Sequence, residues 1–296
     1  VCCEVAHEKR EDTFAATPPL KGIKILLHFN VSKPPYDKRT RQIGRWDVSV
    51  AFFHADIQEE LYVRPPAGMR RPGWLWRLLK AMYGSRQASM LFQNYVVDVL
   101  VDIGGFIRVN VSPAMFHHEA WDVSLLVHGD DFLAEGPPKS LDAVHELLDE
   151  HFLVKQLPRL GPGGEKVGMF VGRILRFVEG RGFEYQAGTK HLPKILKLMG
   201  LPETGLKGAD TPGSKDTDKN MPDALEYLHE EEKKIFQQVA GCCQYFVLDR
   251  ILEKYSIKEI MKRMAKPQRR HWAMLKRAVR YMVKNPEMSY KFEYGK

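Results

Sequence analysis

The residues best suited to chemistry in this chain are two adjacent acids, Asp130 and Asp131, which lie between two apolar runs. That pattern predicts a strand, a tight turn that carries both acids, and a second strand. Side-by-side carboxylates repel each other, so the fold gains no stability from placing them there. A divalent cation reverses this argument, because hard cations such as Mg²⁺ prefer carboxylate oxygens.

A third acid, Asp47, lies in another strand-like run, residues 44–53. One acid from this strand and two from the turn would suit a two-metal site for phosphoryl transfer. The alternative for each acid is structural. Asp-Asp is a favoured turn dipeptide, and Asp47 could simply end a strand.

Several short motifs follow one another along the chain in a particular order. They are DVSVAF at 47–52, LYVRPP at 61–66, MYGSRQA at 82–88, GDD at 129–131, FVGRI at 170–174, TPG at 211–213 and HWAMLKRAVRY at 271–281. This ordered set resembles reverse transcriptases of copia-type LTR retrotransposons, from about residue 8 to about residue 285. The resemblance implies an α+β fold, with a polymerase palm of antiparallel strands backed by helices, partial fingers and a helical thumb-like C-terminal region.

The local patterns divide the chain into elements and domains. Residues 202–230 are rich in Gly, Pro, Asp, Lys and Thr and are predicted to be a linker. We therefore expect fingers and palm over 1–201 and a helical thumb or connection region over 231–296. Helices are predicted from Thr17-Pro18-Pro19 onward and at 85–101, 140–152, 189–199, 231–248, 256–264 and 268–283, and strands at 74–79, 114–117 and 123–133, with a hairpin over 166–186 that turns at 180–182.

For the acids, the resemblance implies that Asp47, Asp130 and Asp131 bind two Mg²⁺ or Mn²⁺ ions. One ion would activate the primer 3′-hydroxyl, and the other would hold the triphosphate and the leaving pyrophosphate. Asp47 and Asp130 are expected to bind metal directly, with Asp131 more peripheral. His128 stands where the family usually has an aromatic or small apolar residue, and we interpret it as a variant side chain.

The resemblance also assigns residues to the nucleotide. Phe52 would be a steric gate, a ring that clashes with a 2′-hydroxyl, and its alternative is a core aromatic. Gln87 would lie near the sugar or base, and Arg86 would help bind the nucleotide at the start of the same helix. For Arg86 a solvated helix cap is an equal alternative.

Primer and duplex contacts are expected further along the chain. Phe170, Gly172 and Arg173 match the primer grip, where a hairpin backbone approaches the primer, and a strand bulge is the alternative. Lys155 is a loosely aligned candidate for protonating the leaving pyrophosphate. In the last helix, Arg277 and Arg280 would contact nucleic-acid phosphates, and a solvated face is the alternative.

Composition agrees with a nucleic-acid enzyme without proving one. The chain has 45 Lys and Arg against 37 Asp and Glu, a net charge of +8, which favours acidic partners. Its four Cys form two adjacent pairs, a spacing that suits neither a disulfide framework nor a zinc site and indicates a reducing compartment. No apolar run approaches the roughly 20 residues of a membrane span, so no membrane partner is expected.

The function predicted is DNA synthesis on an RNA or DNA template-primer from dNTPs, as part of a retrotransposon polyprotein in a cytoplasmic particle or the nucleus. An RNase H domain is expected downstream, and finger strands that grip the triphosphate are expected upstream of Val1, so that this chain alone would polymerise poorly. One alternative is a degenerate, transposon-derived remnant that binds nucleic acid without turnover, as the substitutions His128 and Ser89 would allow. A metal-dependent nuclease is another.

Overall fold

The computed structural model describes residues 15, 20–33, 40–214 and 221–295. The predicted helix start at Thr17-Pro18-Pro19 lies outside these residues. Within the described ranges, no helix combines the length and the apolar character that crossing a membrane requires.

Helices and strands alternate through the first two thirds of the chain, and helices dominate the rest. The helices are α1 (Lys21–Ser32), α2 (Ala88–Val97), α3 (Pro138–His151), α4 (His191–Leu198), α5 (Glu230–Phe246), α6 (Ile251–Met261) and α7 (Arg269–Lys284). The strands are β1 (Gln42–Val48), β2 (Tyr62–Val63), β3 (Trp76–Arg77), β4 (Ile107–Arg108), β5 (Met115–His118), β6 (Val123–His128), β7 (Asp131–Gly136), β8 (Val154–Leu160), β9 (Val167–Phe170), β10 (Arg173–Val178), β11 (Gly182–Gln186) and β12 (Ser289–Glu293). This mixture confirms the predicted α+β class.

The palm is a six-stranded sheet in the order β4-β5-β6-β7-β1-β8, with antiparallel pairing on both sides of β1. Alternation along β1 buries Trp46 and Val48 in a core with residues of α2 and α3, and turns Asp47 to the opposite face. On that opposite face α1 packs closely, because a Cβ at Gly22 would stand only 2.8 Å from Leu126. The acid-bearing face is therefore covered by α1 over part of its area.

The helix predicted at 85–101 begins later and ends differently. Residues 82–88 form turns, and α2 starts at Ala88 and continues as a π-helical stretch, Asp98–Ile103. The predicted stop at Gly104-Gly105 is confirmed, and Gly105 has a φ of +71° that favours glycine. The hairpin turn predicted at 180–182 is also confirmed, between β10 and β11.

The compact units differ from the predicted domains. One unit contains the chain to Val171, with Leu175–Glu184 and Lys291–Lys296; the other contains Gly172–Ile174 and Tyr185–Tyr290. The second unit thus includes α4, whose Ile195 and Leu196 are buried with residues of α5 and α7. The described part of the predicted linker is attached to the same unit, since the Ala209 N–H donates to the Arg280 carbonyl at 3.3 Å.

Four strands are missing from the sequence prediction: the two-residue strands β2 and β4, and the longer strands β8 and β12. β8 pairs with β1, and β12 is the neighbour of β11 in a four-stranded sheet of order β12-β11-β10-β9. In Ser289–Glu293, exposed polar residues alternate with the half-buried Tyr290 and Phe292. This period of two is visible in the sequence and is typical of a strand. β8 contains Pro158 and half-buried polar residues, and its pairing with β1 defines it.

A buried ionic network fastens the other end of β1 to β7. The guanidinium of Arg41 donates to the carboxylate of Glu135 at 3.0 and 2.8 Å, and Glu135 is fully buried. Asp122 accepts from Arg41 and, at 2.8 Å, from Lys33, which also reaches Glu135 at 3.1 Å. Each charge therefore has an opposite partner, which a buried charge requires.

We predict that Glu135→Gln lowers the free energy of unfolding by about 3 kcal/mol, because it leaves the buried Arg41 charge under-compensated. The control is Asp142→Asn, which breaks an ion pair to Arg159 at 2.6 Å in which Asp142 is 61% exposed. That change should cost no more than about 1 kcal/mol. Urea unfolding measures both, and equal losses for the two variants would contradict the assignment.

A second prediction concerns acid stability. Partial burial acts to raise the pKa of the Asp122 carboxyl, but hydrogen bonds from Lys33 and Arg41 outweigh it, and the net pKa lies below its usual value. The stabilisation is therefore present above the unfolded pKa of about 3.9 and is lost as pH falls through the folded pKa.

The stability difference between the parent and Asp122→Asn should accordingly be largest near pH 7 and should shrink below about pH 4. Asp122 is 44% exposed, so solvent screening reduces the size of this difference. Urea midpoints at pH 7, 5 and 3 measure it, and a difference that grows in acid would show that the sign is wrong.

Candidate active site

The three predicted acids lie toward one end of the interior strands β1 and β7 of the palm sheet. Asp47 in β1 is directly opposite Asp131, the first residue of β7. Asp130 lies in the turn between β6 and β7, and its carbonyl accepts a hydrogen bond from the Val48 N–H at 2.8 Å. The turn that carries Asp130 is thus bonded to the strand that carries Asp47.

The electrostatics of the acids show that they influence one another. Burial raises the pKa of the Asp131 carboxyl, and the negative charges of Asp130 and then Asp47 raise it further. His128 acts in the opposite direction and lowers it. The fold therefore maintains like charges close together, an arrangement that a bound cation would relieve.

Asp131 and Asp47 belong to a row of titratable residues across four strands. His128 in β6 is opposite Asp131, and Lys155 in β8 is opposite Asp47. Directly opposed residues in antiparallel strands share a face of the sheet, so two acids are flanked by two basic residues. Lys155, which sequence comparison placed only loosely, is thus a cross-strand neighbour of Asp47.

Two of the three acids predicted to bind metal are cross-strand neighbours, and their role as metal ligands stays a prediction. Within the part of the chain that the structure describes, no three His, Cys, Asp or Glu side chains converge into a metal-binding cluster. The element of the predicted ligand set that does form is the cross-strand pair of Asp47 and Asp131. Their oxygen donors are of the type that Mg²⁺ and Mn²⁺ prefer.

Phe52 follows β1 in a 3-10 turn, Ala51–His54. Its ring is half-buried and lies 4.4 Å from the Tyr83 ring and 6.1 Å, edge-on, from Phe92, measured between centroids. The turn is entered through Val50, whose φ of +49° is strained for a β-branched residue. The ring contacts other aromatics and is not fully buried, and its role as a gate stays a prediction.

Gln87 precedes α2 and is 8% exposed. Its side-chain amide donates to the Glu59 carboxylate at 2.8 Å, which fixes the orientation of the amide. Sequence reasoning missed Glu59, because no motif contains it and the contact spans 28 residues. Arg86 is half-buried beside Gln87. The predicted nucleotide contacts of both residues remain untested.

The predicted primer grip contains a two-residue turn between β9 and β10. Val171 and Gly172 both have positive φ, +47° and +71°, as the tightest hairpin turns require. Phe170 is buried, and Arg173 forms an ion pair with the buried carboxylate of Asp249 at 3.0 Å. Contact of this turn with a primer stays a prediction, and Arg173 has a structural partner.

The basic residues of α7 contact a neighbouring segment of their own unit. Arg277 donates to the Thr211 hydroxyl at 2.8 Å, and Arg280 donates to the Lys207 carbonyl at 2.9 Å. The sequence offered phosphate contact or a solvated face for these arginines, and the structure adds a third role, which is to hold residues 207–211 against the helix. Their predicted contact with nucleic acid is untested.

Comparison with known proteins agrees with the motif order. The family described as Reverse transcriptase (RNA-dependent DNA polymerase) matches residues 2–169. The Retrovirus-related Pol polyprotein from transposon RE2 of Arabidopsis thaliana is 25% identical over 285 residues, 93% of this chain and 18% of the polyprotein. The Putative transposon Ty5-1 protein of Saccharomyces cerevisiae is 31% identical over 120 residues, 38% of this chain and 39% of that protein.

Among solved structures, the foamy viral protease-reverse transcriptase in complex with dsDNA is 14% identical with a TM-score of 0.45, over 92% of this chain and 46% of that one. The chain spans about a fifth of the length of the Arabidopsis polyprotein. The transposon relatives confirm the predicted resemblance to copia-type elements. Since the family match covers more than half of the 296 residues, the chain belongs to the reverse transcriptase family.

Proposed function

We propose that this chain is the polymerising part of a retrotransposon polyprotein and extends a DNA primer on an RNA or DNA template by two-metal phosphoryl transfer. The observation that carries the proposal is the pairing of Asp47 with Asp131, with the Asp130 backbone bonded to Val48, because the resemblance assigns metal binding to these three acids. Membership of the reverse transcriptase family supports the reaction class.

Asp47, Asp130 and Asp131 would hold the metal ions, and their carboxylates suit Mg²⁺ or Mn²⁺. Bound divalent ions supply activation of the primer hydroxyl and neutralisation of charge on the phosphates. The chain's own contribution is to hold the acids in register through β1 and β7. Phe52, in the turn that follows β1, would exclude a 2′-hydroxyl. The net charge of +8 favours a nucleic-acid partner.

A nucleic-acid-binding remnant without turnover is the second candidate. Two observations favour it: no three-acid ligand cluster is assembled within the described ranges, and a histidine is opposite Asp131. Both candidates predict binding of a template-primer, so only turnover separates them. Mg²⁺-dependent primer extension on an RNA template, with and without dNTPs, tests the proposal, and binding without extension would support the remnant.

Asp130→Asn should reduce primer extension more than about a hundredfold, the scale of losing one preorganised electrostatic group. Binding of the primer-template should stay within a few fold, because the change removes a negative charge and leaves the fold's contacts in place. Single-turnover extension and fluorescence anisotropy measure the two effects.

The matched control is Asp149→Asn, which removes the same charge from an exposed position on α3. It should leave extension unchanged. If Asp130→Asn extends primers as well as the control does, the assignment of the acids is wrong.

Phe52→Val should raise ribonucleotide incorporation relative to deoxyribonucleotide incorporation by roughly tenfold or more, or about 1.4 kcal/mol of discrimination. The smaller side chain removes a wall against the 2′-hydroxyl without altering the acids. Single-nucleotide kinetics with matched rNTP and dNTP measure the ratio.

The control is Phe53→Val, at the adjacent residue, which is 42% exposed and also contacts Tyr83 edge-on at 6.0 Å. It should leave the ratio unchanged. An equal ratio of ribonucleotide to deoxyribonucleotide incorporation for both variants would show that Phe52 only packs against its aromatic neighbours.

A further inference from the structure

Residues 61–77 have an unusual composition for an exposed segment. They contain four arginines and no acid, so their net charge is +4, and they include Tyr62 and two of the chain's five tryptophans, Trp74 and Trp76. The arginines are Arg64, Arg70, Arg71 and Arg77, and all four are exposed. Tyr62 and Arg64 belong to the LYVRPP motif, but no role has been assigned above to any of these aromatic and basic side chains.

The aromatic side chains in this segment lie on the surface. Trp74 is 65% exposed, Tyr62 50% and Trp76 45%. Tryptophan is highly buried on average, and an exposed apolar patch rimmed by polar groups marks a binding surface. Trp74 and Trp76 line a groove of about 670 Å³ with Met69, Arg70, Arg71 and Arg77.

The segment is held in place by a ladder of backbone contacts. β2 pairs with β3, with Tyr62 opposite Arg77 and Val63 opposite Trp76. Immediately next to the two strands, the Leu78 N–H donates to the Leu61 carbonyl at 2.9 Å. Further backbone bonds join Ile57 to Leu79 and Ala81 to Ala55. Tyr62 and Trp76 are thus carried by paired strands, and Trp74 lies in the connection between them, where its N–H donates to the Arg71 carbonyl at 3.1 Å. These bonds reduce the ordering cost of binding.

The arginines retain capacity for a ligand. Arg71 lies over the Trp74 ring at 5.9 Å, and Arg70, an exposed residue, donates from Nε to the Pro65 carbonyl at 3.0 Å. Arg77 is 3.4 Å from Glu60 in an exposed pair, which is weak in water. A guanidinium has five N–H donors, so one such contact leaves most of them available.

We propose that this aromatic–arginine hairpin, residues 61–77, binds a single strand of nucleic acid, with bases stacked on Trp74 and Trp76 and phosphates on the arginines. Stacking platforms in basic grooves are the general chemistry of sequence-tolerant single-strand binding. The net charge of +4 matches a polyanion, and flat indole rings suit bases. This inference rests on the proposed function, because it assigns the strand to the unpaired template.

The position of the ladder supports the template as occupant. Its base leads directly into the 3-10 turn that carries Phe52, since the Ala81 N–H donates to Ala55 at 2.9 Å. Glu59, between the ladder residues Ile57 and Leu61, accepts a hydrogen bond from the Gln87 amide at 2.8 Å. The base of the hairpin therefore adjoins the turn of Phe52, and we infer that a nucleic-acid strand bound along the hairpin leads toward the predicted nucleotide site, where a template base must arrive unpaired before each addition.

The test is binding of a fluorescein-labelled 12-mer oligodeoxythymidylate to the full chain in EDTA without dNTPs. Trp74→Ala with Trp76→Ala should weaken binding at least about tenfold, by loss of base stacking. Arg70→Gln with Arg71→Gln should make the negative slope of log affinity against log salt shallower by up to about 1.4, since each phosphate contact contributes about 0.7. Leu79→Ala, 72% exposed on the same ladder, and Tyr255→Ala, 71% exposed elsewhere, are controls that should bind as the parent does.

Binding by the double tryptophan variant equal to that of the controls would overturn the proposal. It would also be overturned if that variant binds the oligonucleotide normally but sediments differently from the parent chain, because a second copy of the chain would then be the occupant. If that variant has a lower urea midpoint, the arginine variant decides, and an unchanged salt slope would overturn the proposal. Because the assay contains no metal and no nucleotide, its outcome is independent of turnover. Failure of primer extension would contradict the proposed function without changing the measured binding of the oligonucleotide to the hairpin.

Discussion

The pairing of β1 with β7 is the interaction on which the candidate site depends. It places Asp47 against Asp131, and the same register places Ile43 against Glu135 at the other end of the strand pair. Like charges at one end are thus held together by buried apolar residues, Trp46 and Phe132, and by the compensated charge of Glu135. A slip of one residue would exchange the two faces of β1, burying Asp47 and exposing Trp46. The core therefore fixes the geometry of the acids, although the acids themselves oppose it.

Local pattern predicted much of this arrangement. The apolar runs around Asp130 and Asp131 indicated β6 and β7, and helical spacing indicated α3, α5 and α7 to within one or two residues. The prediction failed where tertiary contacts decide. β8 is defined by its pairing with β1, so the proximity of Lys155 to Asp47 was not readable from the β8 sequence. The unit boundary also differs, because α4 is amphipathic in sequence but only its packing shows that it belongs with α5 and α7.

Of the three non-glycine residues with positive φ in the described ranges, Asp122 belongs to the ionic network, and the other two lie at predicted functional elements. Val50 follows the acid-bearing strand β1, and Val171 lies in the predicted primer-grip turn, and both have positive φ. A valine in this conformation costs about 1–3 kcal/mol unless the surroundings enforce it. At Val50 the chain must leave β1 and form the 3-10 turn that carries Phe52. At Val171 a two-residue turn must join β9 to β10. In each case the strain accompanies a sharp change in chain direction beside a residue that carries a proposed role.

The distribution of positive charge separates two kinds of basic surface. On α7, Arg277 is half-buried, its Nε is buried without a hydrogen bond, and one terminal nitrogen donates to Thr211, so a phosphate must either displace that bond or use the donors that remain at the surface. Each such exchange costs on the order of 1 kcal/mol before any gain. On the hairpin of residues 61–77, the arginines are exposed and the groove beside them is lined by tryptophans. Cationic groups that are already positioned and partly desolvated by aromatic neighbours bind an anion at lower cost. The net charge of +8 is therefore a poor guide to where nucleic acid binds, and the bonding state of each arginine is a better one.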